Sequence, residues 1–280
     1  MTVQTRTSRS NSIPLAEWNQ AIDDLIQRRR AEEAIPRIRT VLKNLPRHLP
    51  SYFRLLQAIW ILRRWDEGQD WALRLLRADP CNELAWAVLA NGAEERGALG
   101  EARGFWKRAF EQAPYSQHIR AGMVRTSPGK VDPLHLTSTT FAALCRMDGR
   151  WERAAEQYTA LQQEFPRRMD IQCALLESLW RAERQPEALH LAALLSRREP
   201  NLLISWLVSA RLGDETDQAL AQAPLASLDI DGEYMAVRFG AEVPQGRAAT
   251  ISVSREEAAW LSDIDSLLPR PNSAKWGGIG

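Results

Sequence analysis

Any catalytic or metal site in this chain would have to be built from four histidines, three cysteines and scattered carboxylates. His48, His118, His135 and His190 lie far apart. No two have the helical spacing that aims a pair at one metal ion. Cys81, Cys145 and Cys173 are odd in number and widely spaced, which fits neither a disulfide framework nor a zinc knuckle. Cys145 and Cys173 fall in apolar helical stretches, where a thiol acts as a small buried hydrophobe. A reduced, cytoplasmic protein is therefore expected. Gly277-Gly278 precedes no helix, so there is no phosphate-cradling loop, and no nucleophile has a visible base partner. The expectation is a chain that is not an enzyme and needs no cofactor or metal.

The elements must then be read for binding. Of the 280 residues 45% are apolar, enough for a substantial core. The net charge of +1 gives no global pull toward nucleic acid or membrane. That sum hides an asymmetry: residues 1–82 carry 14 Lys/Arg against 9 Asp/Glu, and residues 226–280 carry 5 against 8. Lys occurs only at 43, 107, 130 and 275. An Arg-rich cation set is the mark of a GC-rich genome and points to a bacterial source. Apolar runs such as 84–90 fall far short of the ~20 residues a membrane span needs. Residues 1–14 are polar, with no apolar core of a secretory signal, and read as a disordered lead-in.

Prolines give the period. Pro46, Pro80 and Pro114 are spaced by 34, and so are Pro166 and Pro200. Each closes a helical pattern, as a residue that cannot continue a helix should. Twelve positions earlier stand Ala34, Gly68, Ala102, Ala154 and Ala188, all small enough for two helices to approach closely. In 83–116, Trp86, Leu89, Ala90 and Ala93 form one helical face, Gly97 marks the turn, and Ala102, Trp106 and Ala109 face back. This unit resembles the tetratricopeptide repeat, whose signature runs Trp, Leu, small, Tyr, then Ala, aromatic, Ala, Pro. Looser copies occupy 15–48, 49–82, 135–168 and 169–202, and a sixth starts at Trp206 and decays near Ala223–Pro224.

The resemblance implies an all-α fold, a right-handed superhelical solenoid of tetratricopeptide-type helix pairs, each burying its apolar face on the next. Pro114 to Pro166 spans 52 residues, 18 more than one repeat. Residues 117–126 can form a short helix on the preceding repeat, and 127–134 is a breaker loop with Asp132 and Pro133 placed to start the next helix. The expected organisation is a lead-in 1–14, an N-terminal array 15–126, the breaker loop 127–134, a C-terminal array 135–225 and a tail 226–280.

The family implies a concave groove lined by the first helix of each pair and filled by a protein or peptide. Its positions here are Asn19, Asp23, Phe53, Gln57, Trp60, Asn91, Glu94, Arg146, Glu177, Trp180 and Arg211. The clamp that grips chaperone C-termini is missing: Asn91 is present, but Ala87, Thr140 and Leu136 hold the partner positions. In the tail, Tyr234–Phe239 reads as a strand or extended segment. Ser254 and Glu257 form a capping box ahead of an acidic amphipathic helix, 255–268, with Trp260, Leu261, Ile264, Leu267 and Leu268 on one face. Such a helix docks in a partner, in the protein's own groove, or as a cap on the last repeat. The leading expectation is a non-catalytic binding scaffold. The alternatives are a regulatory or nucleic-acid-linked module using the basic N-terminal half, and an accessory subunit of a separate enzyme.

Overall fold

The computed structural model describes residues 11–127, 137–241 and 249–267, with side chains of the last stretch described as far as Ser262. The described chain is a helical repeat plus one short ribbon. In order it runs β1 (Asn11–Pro14), α1 (Leu15–Gln27), α2 (Ala31–Asn44), α3 (Leu49–Leu62), α4 (Trp65–Ala78), α5 (Glu83–Glu95), α6 (Leu99–Gln112) and α7 (Gln117–Arg125). There follow α8 (Ser138–Met147), α9 (Trp151–Glu164), α10 (Met169–Arg181), α11 (Gln185–Arg198), α12 (Leu203–Leu212), α13 (Glu215–Leu228), α14 (Glu233–Phe239), β2 (Thr250–Val253) and α15 (Arg255–Leu267). None of these helices is long and apolar enough to cross a membrane.

The 34-residue period has a structural counterpart at three points. Ala34, Gly68, Ala102, Ala154 and Ala188 are all buried, where helix pairs meet. Seventeen residues before each of the five prolines, the turn between paired helices takes a left-handed conformation: Arg29, Arg63, Gly97, Gly149 and Glu183 have φ of 60, 55, 73, 71 and 60°. Six residues after four of the prolines, a side chain donates to the prolyl carbonyl. These bonds are Tyr52 Oη–Pro46 O (2.5 Å), Trp86 Nε1–Pro80 O (2.8 Å), Gln172 Nε2–Pro166 O (2.5 Å) and Trp206 Nε1–Pro200 O (2.9 Å). A carbonyl at a helix C-terminus has no partner within its own helix, and the next helix supplies one.

Contacts divide the chain into two units. The first joins the residues up to Leu62 with those from Asp229 onward; the second is Arg63–Leu228. The boundary falls inside the repeat 49–82. In the first unit, residues 11–14, expected to be disordered, form β1 and pair antiparallel with β2 through Asn11–Val253, Ser12–Ser252, Ile13–Ile251 and Pro14–Thr250. Burial of Ile13, Ile251 and Val253 supplies the reason. The Asn44 amide caps the ribbon's edge, donating to Ser252 O (3.1 Å) and accepting from Ser252 N (3.0 Å) as a third strand would. Tyr234–Phe239 is helical and lies in α14, because Asp229 accepts the Tyr234 and Met235 amides at 3.1 and 2.7 Å and opens a helical turn.

The capping box forms as expected: Ser254 accepts from Glu257 N (3.2 Å) and Glu257 accepts from Ser254 N (2.8 Å). The helix it starts packs on α1 and β1, so it caps the first repeat rather than the last. Trp260 meets Trp18 edge-on at 5.2 Å, Arg37 lies 4.4 Å over the Trp260 ring, and Leu261 is buried. The side chains of Ile264 and Leu267, and all of Leu268, lie outside the described residues.

In the second unit α4–α13 pack chiefly on their sequence neighbours. The expected short helix is α7, which packs on α6. It approaches so closely that a Cβ on Gly122 would lie 2.3 Å from the Trp106 ring. Apart from Ser127, the breaker loop 127–134, with Asp132 and Pro133, lies outside the described residues. Thr137 caps α8, accepting from Thr140 N at 3.2 Å.

Candidate groove and its occupant

In the first unit, two expected groove residues, Asn19 and Phe53, meet a segment of the chain itself, and a third, Asp23, binds an arginine that does. Asn19 on α1 is buried and its Nδ2 lies 3.4 Å from both Asp231 Oδ2 and Glu233 Oε2. Phe53 on α3 packs edge-on against Tyr234, ring centroids 6.3 Å apart. Asp23 on α1 receives two 2.7 Å hydrogen bonds from Arg54, whose guanidinium also reaches Glu233 at 2.9 and 2.5 Å. Gln57 and Trp60, further along α3, are half-buried.

Arg54 is the hub of this cluster and is 1% exposed. Burial works against its charge, but the hydrogen bonds and charges of Asp23 and Glu233 outweigh that and raise its pKa. Burial pushes the Glu233 carboxyl up, with Arg54 pulling the other way. Asp231 accepts from His48 Nε2 at 3.3 Å, and His48 Nδ1 lies 2.9 Å from Ser51 Oγ. Burial would raise Asp231, yet the His48 hydrogen bond and charge hold it below the usual range. Its neighbour Asp229, 2% exposed, is pushed up to about 8, chiefly by burial and then by the charge of Asp231. Asp229 thus keeps the proton of the pair while Asp231 stays ionised.

His48, Asp229 and Asp231 offer ligand atoms within 4.8 Å of one another, a set of the right composition for a metal ion. Asp229 already accepts two backbone amides, however, and Asp231 accepts His48 and Asn19. These groups serve as anchors for residues 229–239.

In the second unit most of the expected groove residues are engaged by neighbouring side chains or backbone of the same unit. Asn91 Nδ2 donates to Ala87 O at 3.0 Å. Glu94 accepts from Arg125 at 3.0 and 2.9 Å and from Trp106 Nε1, which lowers its pKa against the effect of burial. Arg146 and Glu177 form a buried pair at 2.8 Å. Trp180 is half-buried beneath the Arg181 guanidinium at 4.4 Å, and Arg211 is exposed. Beside them Glu111 gathers Thr139 (3.0 Å), Arg108 (3.4 Å) and Arg168. It borders a cleft of about 580 Å³ whose walls include Trp86, Phe105, Phe165 and Arg168.

Of the many arginines in the first repeats, Arg30 pairs with Glu33 at 2.7 Å, Arg64 with Glu67 at 2.5 Å, and Arg54 and Arg37 serve internal contacts. Sequence reasoning passed over Arg54, one position from the Phe53 groove stripe. It also passed over His48, Asp229, Asp231 and Glu233. The signal that could have found them is the alternation Asp229-x-Asp231-x-Glu233, which places three carboxylates in five residues of a segment otherwise poor in charge.

No family model matches the chain, and no curated protein matches it in sequence. Among solved structures it is similar to a chain in the structure of Naa15/Naa10 bound to HypK-THB, with 14% identity and a TM-score of 0.30. The similarity covers 81% of this chain and 44% of that one, so this chain spans less than half of its length.

Proposed function

We propose that this protein is a non-catalytic binding scaffold of the tetratricopeptide type that holds a protein or peptide along the first helices of its repeats. The observation that carries this reading is the contact of residues 231–234 with Asn19 and Phe53, and with Arg54, which Asp23 holds. Two of the positions expected to face a ligand, Asn19 and Phe53, touch a segment of the chain itself, which supports the reading. Carboxylates meet a buried arginine fork and a tyrosine meets a phenylalanine edge, the charge-assisted and aromatic contacts by which such surfaces bind. Chemistry is absent from this reading because each carboxylate of the cluster is committed to an arginine, a histidine or a backbone amide.

A photo-crosslinking residue placed in the native cell at Trp180 or Arg211, and at exposed Leu194 or Leu99 as controls, tests the proposal. One discrete adduct from the first pair and none from the second is expected. Equal labelling from both pairs, or none from either, would remove the groove from the account.

A further inference from the structure

The segment that fills the first groove has the character of a ligand. Helix α14 has seven residues, too few to be stable alone, so its order comes from docking. Glycines with positive φ bound it on both sides, Gly232 at 72° and Gly240 at 56°. It is held by Asp231 and Glu233 on Asn19, His48 and Arg54, by Tyr234 on Phe53, and by the burial of Tyr234, Met235 and Phe239. The receiving side is balanced without it. Arg54 keeps both hydrogen bonds to Asp23, so undocking leaves no bare buried charge. It would instead release the Arg54 N–H groups that donate to Glu233, and present the imidazole of His48, the Asn19 amide and the Phe53 ring. That surface is complementary to two carboxylates followed by an aromatic ring.

We propose that the groove between α1 and α3 receives from a partner protein an acidic segment of the pattern carboxylate-x-carboxylate-aromatic, in competition with the chain's own Asp231-x-Glu233-Tyr234. This rests on the scaffold reading and names the partner's chemistry. The tethered segment competes at a high effective concentration, so the groove is open in only a fraction of molecules and apparent affinity falls by that fraction. A partner therefore binds by exchange, and whatever weakens the cis contact strengthens the trans one.

The test uses the full chain and a labelled synthetic peptide spanning residues 227–241. The chain carrying Glu233→Ala with Tyr234→Ala should bind this peptide at least about tenfold more tightly than the unchanged chain. A peptide with the same two changes should bind neither. Adding Phe53→Ala to the opened chain should lose most of the gain while Arg54 and Asp23 remain paired. Amide exchange on the opened chain should rise in 229–241 and stay low in α1 and α3. Equal affinity of the two chains, or equal binding of the two peptides, overturns the proposal. So does loss of protection throughout α1–α3, which would make the segment core rather than ligand. Association of opened chains with one another in place of peptide binding would mean exchange between copies and equally exclude a foreign partner. Crosslinking from Trp180 or Arg211 is unaffected by these outcomes, so the scaffold reading stands or falls separately.

Discussion

At the scale of single residues, backbone conformation and protonation make separate predictions. Arg29, Arg63 and Glu183 occupy a left-handed turn that Gly97 and Gly149 occupy at no steric cost. The left-handed region costs a residue with a Cβ roughly 1–2 kcal/mol, of which the greater freedom of unfolded glycine returns about 0.5–1. Each of Arg29→Gly, Arg63→Gly and Glu183→Gly should therefore raise stability by about 0.5–1 kcal/mol in thermal or denaturant melts. Gly97→Ala should lower it by a similar amount.

Asp229 makes the protonation case. Its folded pKa of about 8 lies above the unfolded value of 3.8, so the folded state binds the extra proton between those limits. Stability should fall as pH rises from about 4 to 8, since the proton is lost on unfolding across that window. The depressed pKa of Asp231 acts the other way, its contribution being lost as pH drops below the usual carboxylate range. Asp229→Asn can still accept an amide and can donate to Asp231, so it should flatten the slope between pH 5 and 8 in chemical denaturation. An unchanged slope would place the titrating group elsewhere.

At the scale of elements, α7 and α15 each have one close contact whose loss should show. Helix α7 is an unpaired addition between repeats, held by Gly122 against Trp106 and by Arg125 on Glu94. A methyl group at 122 cannot fit beside the ring, so Gly122→Ala should cost about 1–3 kcal/mol. Amide exchange should localise the loss to residues 117–127, whereas exchange unchanged there would contradict the close approach. Helix α15 depends on Trp260, which covers the fully buried Trp18 and is itself covered by Arg37. Trp260→Ala should destabilise the first unit by about 2 kcal/mol, with exchange rising in α1 and α15 but not in α5 or α6.

For the molecule as a whole, the repeat was legible because it is written in local terms. Residues such as Ala34, Pro46 and Trp86 act within a helix pair or between consecutive pairs, and their spacing survives in the fold as buried small residues, left-handed turns and prolyl-carbonyl hydrogen bonds. The ends were less legible. Residues 11–14 show no strong strand pattern of their own and become β1 only because 250–253 comes to lie beside them. Tyr234–Phe239 looked extended because its alternation is real, but the Asp229 carboxylate sets the first turn of α14 and overrides it. Arg54 was hidden for a similar reason: a lone arginine reads as a solvated cation until two carboxylates from distant parts of the chain, Asp23 and Glu233, close around it.

The sequence by itself determined the all-helical repeat, its phase and the extra helix after Pro114, because these follow from propensity, periodicity and steric closeness within some 34 residues. Only the tertiary structure decided that residues from Asp229 onward return to the first three helices, that α15 caps the first repeat, and that residues 231–234 pack on α1 and α3. Those outcomes depend on burial and charge pairing between residues about 180 to 215 positions apart, and no local pattern encodes which distant carboxylate will meet which arginine.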